Sequence, residues 1–196
     1  MARQPRITER GITHHIFSRC IEKRSLLLDE YFAGILVDVI ALAQAKYDFE
    51  LIAYQIMDNH FHFIIKTVDE GTSISRIMQF IKSRFAQRYN ILCRRTGPFW
   101  NERFKDMVIE KSDNPRNYLL WLLWYLAFNP VRKNLIGDPL KYRHGSIKCY
   151  LDEKHKCPVN ITLHAYFIEL GRSFSERVTA FLWYEEAYRK RWAILF

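Results

Sequence analysis

The chain has 196 residues, 49% of them hydrophobic, enough to bury one main core with a small appendage. Thirty Lys and Arg against 21 Asp and Glu give a formal charge of +9, which favours an anionic partner, nucleic acid first. Cys20, Cys93, Cys149 and Cys157 show no C-x-x-C spacing, so neither a zinc ribbon nor a thioredoxin-type motif is indicated and free thiols are expected. The N-terminal residues lack the apolar stretch of a secretory signal, and the longest apolar run, Tyr118 to Phe128, is too short to span a bilayer. The expectation is a cytoplasmic protein with no membrane partner.

Residues 12 to 20 carry β-branched and aromatic side chains and predict a first strand, from which His15 can approach the centre of the chain. Asp29 caps a helix with apolar residues at Phe32, Ile35, Leu36, Val39, Ile40 and Ala43. Phe49 to Met57 predicts a second strand. The turn-prone pair Asp58-Asn59 links it as a hairpin to a histidine strand that is expected to be internal. Gly71-Thr72-Ser73 opens a second helix with Ile74, Ile77, Met78, Ile81 and Phe85 on one face. Arg76, Lys82, Arg84 and Arg88 decorate the rest of that helix, and Arg94 and Arg95 follow it. All six charges have one sign, which suits phosphate contact as well as a solvated face.

Gly97-Pro98 breaks the chain, and Arg103 to Glu110 predicts another strand. Asn114-Pro115 supplies an N-cap and a first-turn proline for a third helix running to the residues before Pro130. The order of elements predicts an α+β fold, a ferredoxin-like antiparallel sheet (split βαβ, RRM-like) with packed helices. Ile161 to Leu170 and Ser173 to Trp192 look helical, the second opened by Ser173-x-x-Glu176. The domain reading is therefore residues 1–150 followed by a helical extension, 151–196.

Chemistry centres on Met57-Asp-Asn-His-Phe-His-Phe-Ile-Ile65. Alternation along a strand puts Asn59, Phe61, Phe63 and Ile65 on one face and His60, His62 and Ile64 on the other. Two imidazoles on one face suit chelation of a metal ion, but two ligands do not make a site, and taken alone the pair favours ordinary strand histidines bonded to their neighbours. Tyr125 and Asn129, four apart, project from one face of the third helix. If that face meets the histidines, Asn129 adds a ligand oxygen and Tyr125 a nucleophile. Spacing alone favours a helix tyrosine at the edge of the core.

Ala53-Tyr-Gln-Ile-Met-Asp-Asn-His-Phe-His-Phe-Ile-Ile65 resembles the A-Y-V-L-M-P-N-H-V-H-L-L-I stretch of single-tyrosine HUH transposases, in particular the REP-associated tyrosine transposases of bacteria. Asp58 stands where that family has Pro. Gly97-Pro-Phe-Trp-Asn-Glu-Arg-Phe104 is similar to G-P-L-W-Q-x-R-F, Tyr125-Leu-Ala-Phe-Asn-Pro-Val-Arg132 to Y-I-H-L-N-P-V-R, and Tyr142-Arg-His-Gly-Ser146 to Y-R-W-S-S. Cys20, Ile21 and Glu22 depart from the family's Gly-Asn-Asn after the first strand.

The resemblance implies a magnesium or manganese ion held by His60, His62 and Asn129. It makes Tyr125 the nucleophile that attacks single-stranded DNA beside a hairpin and forms a 5′-phosphotyrosine. It further implies a homodimer, DNA contact by Arg132 and the basic helix, and a cytoplasmic, nucleoid-associated location. Two other readings stay open: a non-catalytic binder of structured single strands, and a hydrolase that activates water without a covalent adduct.

Overall fold

The computed structural model describes residues 9–193; the N-terminal stretch examined for a signal lies largely outside the described residues. Four strands, β1 (Thr13–Arg19), β2 (Phe49–Ile56), β3 (His60–Thr67) and β4 (Lys105–Val108), form one sheet in the order β2-β3-β1-β4. Every pairing is antiparallel. With α1 (Glu30–Lys46) after β1 and α2 (Ile74–Leu92) after β3, this is the ferredoxin-like arrangement, and β3 is internal as expected.

Each face of the sheet carries its own core. Phe61, Phe63 and Ile65 join Ile16 and the apolar stripes of α1 and α2 on one face. Ile64, with Ile52 and Ala53 of β2, meets α3 (Pro115–Arg132) on the other. Ile52 and Ala53 are consecutive yet enter the same core, because a bulge between Leu51 and Ala53 shifts the register. Burying a large side chain of this kind contributes about 1.5–3 kcal/mol, so both faces contribute to stability.

α3 is apolar almost all round because it is covered twice. The sheet covers one side, and α5 (Phe174–Ala193) lies against the other, with Phe181 stacked on Trp124 at 4.9 Å and Tyr188 on Phe128 at 5.1 Å. Trp124 Nε1 donates to the Phe181 carbonyl at 3.1 Å. Asn114 accepts from Asn117 N–H at the start of α3, and Asp29 from Tyr31 N–H at the start of α1, as their positions predict.

Several boundaries differ from expectation. α3 does not stop before Pro130 but includes it and ends at Arg132. The proline falls in the last turn, so its missing N–H removes only one bond before the helix ends. β4 is shorter than Arg103 to Glu110, since residues Ile109–Lys111 form a 3-10 turn in which Glu110 accepts from Thr13 N–H at 2.8 and 2.9 Å. Only Ala165–Ile168, α4, is helical within Ile161 to Leu170. The residues before it run extended along β2, where Thr162 N–H donates to Leu51. The start of α5 is capped by Ser173, which accepts from Glu176 N–H at 3.2 Å.

Candidate active site

Strand alternation on β3 turns His60 and His62 away from the aromatic core. The neighbouring strand β1 alternates in step: Arg19 lies opposite His60, Phe17 opposite His62, and His15 follows on the same face. α3 crosses this face and presents Tyr118, Trp121, Tyr125, Asn129 and Arg132 at helical spacing. Together they enclose a cleft of about 620 Å³, completed by Lys23, Asn59, Met107 and Lys133.

The two imidazole rings lie 5.0 Å apart and nearly perpendicular. Asn59 does not share the core face with Phe61. It sits in the hairpin turn, where its Oδ1 meets His60 Nδ1 at 2.7 Å while its Nδ2 donates to the Lys23 carbonyl at 3.1 Å. With the amide oriented by Lys23, His60 Nδ1 is the donor and Nε2 keeps its lone pair. His62 Nδ1 likewise meets His15 Nε2 at 3.1 Å, the two rings stacking at 5.3 Å. Among the described residues, neither Nε2 of the pair has a hydrogen-bond partner in any of these contacts.

Electrostatics favours the neutral rings. Burial, reinforced by the Arg19 cation, pushes His60 down to about 4. Burial and the neighbouring His15 and His60 hold His62 well below its ordinary value, and burial lowers His15 to about 4. Near neutral pH the site therefore offers unprotonated imidazoles, the form that binds metal.

Tyr125 is half-buried, its ring edge-on to His62 at 6.2 Å and stacked on Trp121 at 5.8 Å. The Arg132 guanidinium lies 4.7 Å from the centre of that ring and donates to Tyr188 at 3.2 Å. Asn129 is 5% exposed, and its Nδ2 is buried without a partner. A buried amide that is not anchored through its nitrogen, beside two imidazoles with free Nε2 atoms, is a nitrogen and oxygen donor set that fits a divalent ion with positions left open.

His60, His62, Tyr125, Asn129 and Arg132 thus meet in one cleft. The other basic residues do not join them. Arg76, Lys82, Arg84 and Arg88 belong to α2, and Arg94 and Arg95 follow it, against the opposite face of the sheet. Lys82 donates to Ser18 Oγ at 2.8 Å and to the Glu102 carbonyl at 2.6 Å, and Arg95 donates to the Pro98 carbonyl at 3.0 Å. The cleft's own cations are Arg19, Lys23, Arg132 and Lys133, of which the sequence reading named only Arg132. Alternation continued from His15 through Phe17 reaches Arg19 and was the available signal; Asn59 stood within the histidine motif although its bond to His60 did not show there, and Lys23 comes from a turn and left none.

Two of the other motifs are structural. Phe99 is buried against Phe85 and Tyr89, Trp100 Nε1 donates to the Lys82 carbonyl at 3.0 Å, and Gly97 has a φ of 95° that suits glycine. Tyr142 donates to the Ile56 carbonyl at 2.9 Å, while Ser146 accepts from Tyr54 N–H and donates to its carbonyl. Residues 142–146 thereby cover the free edge of β2.

Among the described residues no helix is long and apolar enough to cross a membrane. The model of the IS200-like transposase family matches residues 8–118. A solved REP-associated tyrosine transposase bound to a REP hairpin superposes with a TM-score of 0.65 at 18% identity, covering 85% of this chain and 96% of that one. A crystal structure described as that of a putative transposase from Deinococcus radiodurans R1 superposes with a TM-score of 0.42 at 16% identity, covering 64% of this chain and 98% of that one. Comparison with curated proteins gave no match. With more than half of its length matched by the family model, the chain belongs to the IS200-like transposases.

Proposed function

We propose that this transposase cleaves and rejoins single-stranded DNA beside hairpins through a 5′-phosphotyrosine on Tyr125. The observation that carries the reading is the meeting of Tyr125 with His62, ring edge to ring face at 6.2 Å, in a cleft lined by four basic side chains. The Tyr125 oxygen attacks the scissile phosphorus, giving up its proton. The new O–P bond forms as the bond to the 3′ oxygen breaks, and that oxygen leaves as a protonated 3′-OH. Rejoining reverses the step with another 3′-OH. Arg132, against the Tyr125 ring, and Arg19 hold the phosphate oxygens in line. Trp121 and Phe17 offer surfaces on which unpaired bases stack.

His60 and His62, with Asn129 as third ligand, would hold a magnesium or manganese ion, which when bound polarises the phosphodiester. His15 and Asn59 position the two imidazoles. The solved relative carries a REP hairpin; by analogy the hairpin stem is assigned to the exposed arginines Arg76, Arg84 and Arg94, with Arg88 beside them and Lys82 and Arg95 bracing the loop that follows. Residues 1–150 carry the chemistry and 151–196 extend it. The reading includes a homodimer acting on nucleoid DNA in the cytoplasm, and Met107, 53% exposed on edge strand β4, is apolar surface beside the cleft.

The test separates binding from cleavage. The double variant His60→Ala, His62→Ala should retain hairpin binding within a few-fold and lose divalent-dependent cleavage, because basic contacts supply most affinity. Cleavage that survives in this variant, or in excess chelator, refutes the metal assignment. Hairpin binding with no cleavage by the intact chain favours the non-catalytic binder.

A further inference from the structure

We propose that Cys149, His155 and Cys157 form a second metal site, one that takes zinc. Their ligand atoms, two thiol sulfurs and one imidazole nitrogen, all lie within 4.8 Å of one another, and each residue is half-buried. This site shares no residue with the cleft of His60 and His62. Its chemistry is also different. Thiolate with imidazole is a soft set that selects zinc, whereas imidazole and amide with open positions suits magnesium or manganese.

The site lies where the fold needs a clamp. Residues 151–164 follow the 3-10 turn Ile147–Tyr150 and reach α4 with no regular helix or strand of their own. At one end of this segment, Cys149 adjoins Tyr150, whose hydroxyl donates to the Ile52 carbonyl of β2 at 3.0 Å. Further along, Cys157 Sγ lies 3.8 Å from the Tyr54 hydroxyl of the same strand. An ion bound by both cysteines and His155 would fasten the crossing segment beside β2. Two thiols give up their protons to solvent as two Zn–S bonds form, and water supplies a fourth ligand to complete a tetrahedral set. The spacing, Cys-x5-His-x-Cys, matches no C-x-x-C pattern, which is why the sequence reading passed over it.

The test uses the full chain carrying His60→Ala and His62→Ala, so that the first site contributes no metal, reduced and titrated with cobalt(II). One equivalent should bind with a thiolate-to-cobalt charge-transfer band, and zinc should displace it. Cys149→Ser with Cys157→Ser should remove the band although Cys20 and Cys93 remain, and His155→Ala should weaken cobalt binding by an order of magnitude or more. Because the parent protein is read directly, the proposal does not depend on the serine variants folding. Absence of the band from the reduced parent overturns the proposal, as does its persistence in the double serine variant. A Cys149–Cys157 disulfide in the purified protein, with no cobalt band after reduction, also overturns it.

Discussion

Asn59 Oδ1 stands 2.7 Å from His60 Nδ1, and the Asn59 amide is oriented by its own donation to the Lys23 carbonyl. The contact fixes the tautomer of His60, leaving Nε2 with the lone pair that the proposed ion would use. Replacing Asn59 with Ala should therefore weaken divalent-ion affinity by roughly 10–100-fold, the usual effect of losing such a support, while DNA affinity stays close to wild type. The check is the manganese concentration needed for half-maximal cleavage. An unchanged requirement would mean that His60 is oriented by strand packing alone.

Buried neutral histidines tie stability to pH. His15 and His60 are lowered to about 4 in the folded chain from an ordinary value of 6.5, and His62 is lowered as well. The unfolded chain thus binds more protons than the folded one between these limits. Stability from this cluster is full above about pH 6.5 and is lost as pH falls toward 4. Urea unfolding at pH 7 and pH 5 should show a loss on the order of 2 kcal/mol for each of His15 and His60 at the lower pH. A His15→Gln variant should lose less. Equal losses in both proteins would assign the effect to other groups.

The tail supports the helix that carries Tyr125. Phe181 is fully buried against Trp124, Phe167 and Tyr150, so Phe181→Ala should cost about 3–5 kcal/mol in urea unfolding. The same substitution should lower cleavage through mispositioning of α3 while leaving Tyr125 and the histidines chemically intact. A cost below about 1 kcal/mol would mean that the extension is loosely attached.

The stripes of α1 and α2 were legible because each helix buries one face, and burial of one face writes a period into the sequence, whereas β3 is buried on both faces and its alternation was legible because histidines alternate with aromatic residues. α3 had no such stripe, since both the sheet and α5 cover it, and its capping residues located it instead. Pro130 misled because a proline in the last turn costs little. Residues 161–163 look helical by composition, yet Thr162 pairs its N–H with β2, a tertiary bond that local pattern does not encode.

The site divides in the same way. His60, His62, Tyr125 and Asn129 are residues whose spacing names a face, and the two faces meet. The one-signed charges of α2 were equally visible but lie behind the sheet, because its apolar stripe faces the first core and carries the charges away from the cleft. Lys23 and Lys133 come from the ends of elements, where no period points to them. Lys23 has a φ of 57° in the turn that also orients Asn59.

The most direct measurement is a denaturing gel of wild type and Tyr125→Phe with a 3′-labelled single-stranded hairpin substrate and a divalent ion. Phenylalanine keeps the ring that packs on Trp121 and meets His62 but removes the oxygen that would bond to phosphorus. The account predicts a labelled band shifted by covalent protein for wild type and none for Tyr125→Phe, with hairpin binding by the variant retained. A shifted band from Tyr125→Phe would contradict it and move the nucleophile to another tyrosine, Tyr118 being the next in the cleft. Cleavage by Tyr125→Phe with no shifted band from either protein would instead make the enzyme a water-activating hydrolase.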